Sequence, residues 1–393
     1  TYLMPFFSFS LKKNFLTSDD LPHISINNIE NNQTYFSKNT KLWKYLNKKK
    51  NRHLINSLSF EPRKPISKIE DSILFCLPPS LGLGDIIEYA LSINSIINSK
   101  KFKKVGIAFV GKYEIILKKY FKIENIFPDI INLNELNKFK SIFHVTLEIK
   151  ELKMQKYIRQ DIEKIMNKYF AIYENKFFKN NFKNNFKKNI KKITIFPISK
   201  SPLRSMTPKI LQSIINFYEN KYEIDIVFEN NSDISKYLEK KVNLKTCKNQ
   251  NPSNLEELCN IIEKIDFGIF MDSGPLHLAK LLNKPGALII TSVDEKILLN
   301  KLSKIIPIKN NFTSNYCSAP CGLTNIFNYK GKSGCYFSLN LNKQEILNIN
   351  NLNALQRGTN KSTYVDFISN PVGCIDKINI KNLLKSINTS LEK

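Results

Sequence analysis

The sequence predicts an α/β protein with two doubly wound, parallel-sheet domains, and three observations predict it. Short apolar runs at 72–77, 193–198 and 267–271 each end in a turn that opens an amphipathic helix. Strand and helix alternate along the chain, which right-handed crossovers convert into parallel sheets. A length of 393 residues suffices for two separate cores.

Residues 1–70 are polar and Asn-rich, with the basic run Lys48-Lys49-Lys50, the single Trp43, and Pro62 and Pro65 near the end. They read as an N-terminal extension with a little helix from Thr40, a capping residue, to Ser57. The first domain is expected over 71–190. Its strand at 72–77 runs into Pro78-Pro79-Ser80-Leu81-Gly82-Leu83-Gly84-Asp85 and a helix over 86–99. Gly82 and Gly84 are expected to allow unusual backbone and close approach of a ligand, and Asp85 at the helix start reads by itself as a cap. Strands follow at 105–110 and 141–146, with a helix at 112–121 between them. From 148 to 192 the chain reads as helical, basic and aromatic, with Phe178, Phe182, Phe186 and Ile190 spaced by four. Such a face packs on the protein or, being basic, lies on a membrane, and it marks the boundary between the halves.

The second domain is expected over 191–393. After the strand at 193–198, a loop carries Lys200 and Arg204, cations able to point at a diphosphate, before Thr207 and Pro208 open a helix to Tyr218. The strand at 223–228 ends beside Glu229, a candidate for the ribose or base of a nucleotide. Ser253-Asn254-Leu255-Glu256 is a capping-box pattern ahead of a helix to Lys264. The stretch 266–294 is then a complete strand–helix–strand unit: an apolar run, the turn Asp272-Ser273-Gly274-Pro275, an apolar helical face, a stop at 283–286, and a second apolar run at 287–291. Backbone N–H groups at Ser273 to His277, with the positive end of the helix dipole, form an anion site suited to phosphate. Gly274 lets a ligand approach, Asp272 can accept from sugar hydroxyls, and Ser273 and His277 can donate to phosphate or hydroxyl. The last helix is expected over 378–391.

The eight residues Asp272-Ser273-Gly274-Pro275-Leu276-His277-Leu278-Ala279 resemble the Asp-(Thr/Ser)-Gly-Pro-x-His-Leu-Ala signature of glycosyltransferase family 9, the ADP-heptose:lipopolysaccharide heptosyltransferases and their relatives. The resemblance covers about 72–390 and implies the GT-B fold, two facing doubly wound domains with a cleft between them, whose closing helix often returns to the first domain. It implies an inverting, metal-independent transfer of a sugar, a heptose in the named members, from a nucleotide-diphosphate donor, ADP-sugar favoured, to a lipopolysaccharide or other glycan or glycolipid acceptor. Gly84-Asp85-Ile86-Ile87 matches the family's Gly-Asp, which makes Asp85 the candidate general base. The family also places a Lys or Arg shortly before a Trp-Pro; here Arg204 precedes Thr207-Pro208, so the Trp is lost and Lys200 is the alternative cation. Two rivals stay open: a sugar-nucleotide epimerase of the same architecture, and a basic scaffold that binds nucleic acid or lipid without catalysis.

Net charge is +26, yet only five of the 60 basic residues are Arg. The Lys, Asn and Ile bias is that of an A/T-rich coding sequence, and without Arg-rich patches it argues against nucleic acid as the partner while still favouring an anionic membrane surface. No run approaches the roughly 18 apolar residues of a membrane helix and no signal-peptide pattern opens the chain, so a cytoplasmic location, peripheral at the inner face of the membrane, is expected. Of seven cysteines, Cys76, Cys247 and Cys259 lie in apolar contexts and read as buried thiols. Cys317, Cys321, Cys335 and Cys374 come late; they suit a structural zinc, free thiols or, less readily in a reducing compartment, disulfides. No cofactor is required for the chemistry itself.

Overall fold

The computed structural model describes residues 6–12, 24, 29–61, 66, 68–152, 158–172, 190–299, 303–351 and 361–392. The chain divides into two compact units, Thr1–Met154 with Ile162–Phe177, and Gln155–Asp161 with Phe178–Lys393. The boundary therefore differs from a single cut at 190: Ile162–Phe177 stays with the first unit, and the short stretch before it belongs to the second.

In the first unit the N-terminal residues are not a loose extension. Strands β1 (Phe6–Leu11), β2 (Tyr35–Ser37) and β3 (Ile55–Glu61) form an antiparallel sheet with the later strand β7 (Ile130–Asn132), in the order β3-β1-β2-β7, with helix α1 (Thr40–Leu46) beside them. Along β1, Phe7, Phe9 and Leu11 fall on one face and join Tyr35, Leu42 and Leu46 in a core of their own. Phe6 points the other way, into a cluster with Leu74, Cys76 and Ala108. The parallel sheet follows from β4 (Ser72–Cys76), α2 (Leu83–Asn98), β5 (Lys104–Phe109), α3 (Glu114–Tyr120) and β6 (Asn125–Pro128). The chain then crosses to the antiparallel sheet as β7 (Ile130–Asn132), turns through α4 (Leu133–Leu136), and returns as β8 (Ser141–His144), with α5 (Val145–Glu148) and α6 (Ile162–Tyr169) after it. The parallel order is β6-β5-β4-β8.

A single residue, Asp129, separates β6 from β7. It adopts the left-handed region at φ 57°, and its carboxylate accepts from Asn39 Nδ2 at 2.7 Å and from the Gly111 N–H at 3.1 Å. Lys38, almost fully buried, donates to the Leu77 carbonyl at 3.0 Å. These polar bonds, buried and therefore costly to break, fasten the N-terminal sheet onto the carboxyl ends of β4, β5 and β6.

The second unit is a six-stranded parallel sheet: β9 (Lys192–Phe196), β10 (Glu223–Val227), β11 (Cys247–Gln250), β12 (Phe267–Phe270), β13 (Gly286–Ile289) and β14 (Ile305–Ile308), in the order β11-β10-β9-β12-β13-β14. Numbered within the unit this is 3-2-1-4-5-6, the doubly wound dinucleotide-binding order, and its strand order reverses between β9 and β12. The crossover helices are α7 (Pro208–Tyr218), α8 (Asp233–Lys241), α9 (Leu255–Glu263), α10 (Gly274–Leu281) and α11 (Glu295–Leu298). A hairpin of β15 (Phe327–Tyr329) and β16 (Lys332–Gly334) follows, then α12 (Lys343–Asn351), α13 (Tyr364–Ser369) and α14 (Ile380–Leu391). The closing helix α14 packs on α7, β13 and β14, and Tyr218 donates to its Leu384 carbonyl at 3.3 Å. It covers the second sheet. Of the aromatic stripe, Phe178, Phe182 and Phe186 lie outside the described residues, while Ile190 packs on the second core. Among the described residues no helix is long and apolar enough to cross a membrane.

Candidate active site

Doubly wound sheets bind ligands outside the carboxyl ends of their strands where the strand order reverses. In the second unit that point lies between β9, which carries the Arg204 loop, and β12, which carries the Asp272 turn. In the first unit the reversal lies between β4 and β8, and the Gly82–Asp85 turn follows β4.

The Asp272 turn is set by close packing beneath it. Phe270 stacks on Phe196, with ring centroids 5.0 Å apart and planes at 11°. A Cβ on Gly268 would meet the Phe270 ring at 2.2 Å, and one on Gly286 would meet the Gly268 carbonyl at 2.4 Å. Two glycines therefore give Phe270 its place between β12 and β13. At the end of β12 the chain turns, and Ser273 becomes the N-cap of α10 with Pro275 in its first turn, as the sequence predicts. Its hydroxyl donates to the Met271 carbonyl at 3.2 Å instead of capping the helix. With no side chain capping it, this helix end keeps the unsatisfied N–H character that attracts anions.

Arg204 reaches the same turn from β9. Its loop is stiffened by Ser205, whose hydroxyl bonds the Ser199 N–H and the Ser201 carbonyl, and by Met206, whose N–H donates to the Pro197 carbonyl. The Arg204 Nε–H donates to the Thr324 carbonyl at 2.8 Å and Nη1 to the Asp272 carbonyl at 2.9 Å. Nη1 also stands 2.9 Å from Asp272 Oδ2, an ion pair in distance, although that oxygen receives no aligned hydrogen bond. Asp272 is buried and faces Arg204, so its first task is to hold that guanidinium.

His277 is 2% exposed, one helical turn into α10. Burial, then the charges of Lys280, Arg159 and Arg204, hold its pKa well below the ordinary value, so the imidazole is neutral at neutral pH. Its Nε2 lies 4.0 Å from Asp272 Oδ1, beyond hydrogen-bond reach. Lys280, also buried, donates to the Leu298 carbonyl at 3.1 Å. Lys200 and Glu229 are exposed; Glu229 follows β10, one strand further from the reversal than Lys200. Thus the fold brings together Arg204, Asp272, Ser273, Gly274, Pro275 and His277, and leaves Lys200 and Glu229 at the rim.

In the first unit, Gly82 is the N-cap of α2 and Asp85 stands in its first turn, half-buried, with Oδ2 accepting from the Gly82 N–H at 3.0 Å. Tyr113 donates to the Leu81 carbonyl at 2.8 Å, and its hydroxyl pKa is raised by burial and then by the Asp85 charge. The expectation of unusual backbone at the glycines is corrected. Gly82 has φ −85°, Gly84 is helical, and neither is left-handed; what they contribute is the absence of a side chain over the turn.

All seven cysteines are free. Cys76 and Cys259 are buried as expected, whereas Cys247, on the edge strand β11, is half-exposed. Cys317, Cys321, Cys335 and Cys374 gather in the second unit, close enough that the charge of one raises the pKa of another. Burial first and then these neighbours push Cys317 and Cys374 up and Cys321 up to about 12. Among the described residues no three His, Cys, Asp or Glu side chains are arranged as a ready metal-ligand set.

Sequence reasoning missed Arg159. It lies in the short stretch that joins the second unit, and its charge acts on His277 more strongly than that of Arg204. The available signal was its being one of five arginines in a chain that otherwise uses lysine.

No family model and no curated protein matches the chain. Among solved structures it is similar to the iron-containing dodecameric glycosyltransferase TibC of enterotoxigenic E. coli H10407, with TM-score 0.50 and 9% identity over 98% of this chain and 92% of that one. The protein has the fold of a glycosyltransferase. TibC in complex with ADP-D-β-D-heptose gives a TM-score of 0.46 at 10% identity, over 99% and 92% of the two chains. ADP-heptose LPS heptosyltransferase II of E. coli gives 0.44 at 10% identity, over 81% and 98%. The two doubly wound α/β units expected from the sequence are those of the GT-B fold.

Proposed function

We propose that the protein is an inverting, metal-independent glycosyltransferase of the family 9 type, moving a sugar, heptose in the first instance, from an ADP-sugar to a glycan or glycolipid acceptor. The observation that carries this is the convergence, at the strand reversal of the second sheet, of an uncapped helix end with Arg204 and a neutral His277. In this reading the diphosphate lies against the N–H groups at Ser273 to His277. As the acceptor oxygen attacks the anomeric carbon, Asp85 takes the hydroxyl proton, the carbon–oxygen bond to the diphosphate breaks, and the electron pair leaves with the nucleoside diphosphate. Helix N–H groups and guanidinium charge stabilise the negative charge that develops on the leaving group. Attack opposite the leaving group inverts the anomeric centre.

The test is product analysis with ADP-heptose and a lipopolysaccharide core oligosaccharide. Release of ADP that depends on the oligosaccharide supports the transferase; conversion of the sugar nucleotide without acceptor makes the protein an epimerase; binding without either product leaves a scaffold. Thermal shift with ADP, GDP, UDP and CDP identifies the donor base, because a bound ligand stabilises the fold by mass action.

The four late cysteines form a second part of the proposal, a structural metal site separate from the chemistry. Their donor set suits a soft cation, since each thiolate that would repel its neighbours is stabilised by a shared positive charge. Zinc is the expected ion, and TibC, described as iron-containing, makes iron the alternative to measure. Metal analysis should find about one ion per chain, lost together with thermal stability when Cys321 and Cys374 are replaced by Ser. Metal-free protein of unchanged stability would reduce the four to buried thiols.

A further inference from the structure

The Asp272 turn lacks an uncompensated cation if Arg204 alone serves it. The Arg204 guanidinium donates to two backbone carbonyls and pairs with the Asp272 carboxylate, so most of its charge is answered within the protein. A nucleoside diphosphate brings at least two negative charges, and its leaving oxygen gains more as the bond to the sugar breaks. Resting on the glycosyltransferase reading, we propose that Arg159 is the second guanidinium of the diphosphate site, delivered to the α10 turn by the 158–161 stretch on the opposite side from Arg204.

The geometry rests on the backbone around Gly322. Ile158 pairs with Leu323 in an antiparallel bridge, and the Arg159 N–H donates to the Gly322 carbonyl at 2.8 Å. Gly322 has φ 82°, and a Cβ there would stand 3.2 Å from Ile158, so only glycine seats this bridge without strain. The Gly322 N–H in turn donates to the Ser292 carbonyl at 2.6 Å, in the loop that follows β13. Arg159 is thereby fixed beyond the carboxyl end of β13, the neighbour of β12 on one side, whereas Arg204 comes from β9, its neighbour on the other. Two residues after Gly322, Thr324 receives Arg204 Nε. One short loop thus supports both arginines. The field at His277 agrees: after burial and the Lys280 charge, the Arg159 charge lowers its pKa, ahead of that of Arg204. Arginine suits the role because its planar fork can give two parallel N–H bonds to phosphate oxygens, which lysine cannot.

The experiment measures ADP and adenosine binding by calorimetry for the wild type, Arg159→Met and Arg159→Lys. If the wild type binds neither ADP nor another nucleoside diphosphate, the glycosyltransferase reading itself fails. If it binds ADP, Arg159→Met should weaken ADP roughly 10- to 100-fold, the scale of a charged hydrogen bond, leave adenosine unchanged, and flatten the salt dependence. Arg159→Lys should recover part of the loss. Equal ADP affinity in Arg159→Met, or an equal loss for ADP and adenosine, overturns the assignment and makes Arg159 a structural residue. Should Arg159→Met fail to fold, arginine labelling of the wild type with phenylglyoxal decides: ADP, and not adenosine, should protect the Arg159 peptide, and labelling indifferent to ADP rejects the proposal.

Discussion

Two turns, one in each unit, follow the same local pattern and end in opposite states. Each leaves the carboxyl end of a parallel strand at the reversal of its sheet, contains glycine and an aspartate, and opens a helix. At the first, the aspartate comes inside the helix: Asp85 bends back to accept from the Gly82 N–H and stays half-buried. At the second, the aspartate precedes the helix: Asp272 is buried against Arg204, Ser273 turns its hydroxyl to Met271, and the helix end remains open. In the proposed reading, moving one carboxylate from before the cap to after it separates a turn that presents a base from a turn that receives an anion.

The largest expected effect comes from breaking the second turn. Arg204→Ala would leave the Asp272 carboxylate buried with its cation gone, which should cost roughly 3 kcal/mol, the lower end of the range for a broken buried pair. The lower end applies because the Arg204 side chain retains 16% exposure. Denaturant unfolding measures it. Adding Asp272→Asn to Arg204→Ala should restore most of that stability by removing the stranded charge while leaving ADP binding poor. A double variant no more stable than Arg204→Ala would show that the pair is not what holds the turn.

At the first turn the expected loss is in turnover and not in folding. Asp85→Asn keeps a side-chain oxygen able to accept from the Gly82 N–H, so the helix end should lose less than about 1 kcal/mol. It removes the carboxylate proposed to take the acceptor proton, and kcat should fall roughly 10²-fold or more at unchanged ADP affinity. Near-normal kcat would leave Asp85 as a helix cap only, and the two turns would then differ in structure without differing in chemistry.

How much of this was legible in the sequence depends on how local each determinant is. The parallel strands and the caps at Thr207 and Ser273 were readable because a buried strand is an apolar run and a cap is set by its immediate neighbours. The N-terminal sheet was not, because β1 mixes Phe with Ser residues that bond to Ser57 and Ser59, β2 is only three residues long, and the edge strand β7 comes from 130–132, far along the chain. The same holds at the site. The Ser273 turn is written in eight consecutive residues, whereas Arg159 is placed by the bridge of its neighbour Ile158 to Leu323, more than 160 positions away. Asp272 was legible as a candidate site residue, but its partner was not: nothing local says that a buried carboxylate will answer Arg204.

The smallest effect concerns His277 and distinguishes the two turns by pH. Its pKa in the folded protein lies well below the ordinary 6.5, because burial and three nearby cations disfavour the imidazolium. Between that folded value and 6.5 the unfolded chain binds a proton that the folded chain does not, so stability falls as pH falls through this window. The slope is at most about 1.4 kcal/mol per pH unit for one such group, and the loss stops growing once pH drops below the folded pKa. His277→Gln removes the titrating group while keeping an amide donor, so its stability should change less than the wild type's as pH is lowered from 6.5. Bound ADP should shrink the wild-type slope as well, since anionic charge at the turn offsets the cations and raises the histidine pKa toward its unfolded value. Asp85→Asn, at the other turn, should leave this slope as it is in the wild type. Equal slopes in the wild type and His277→Gln would mean that the imidazole is not buried in a positive field, and with that the electrostatic distinction between the turns would fall.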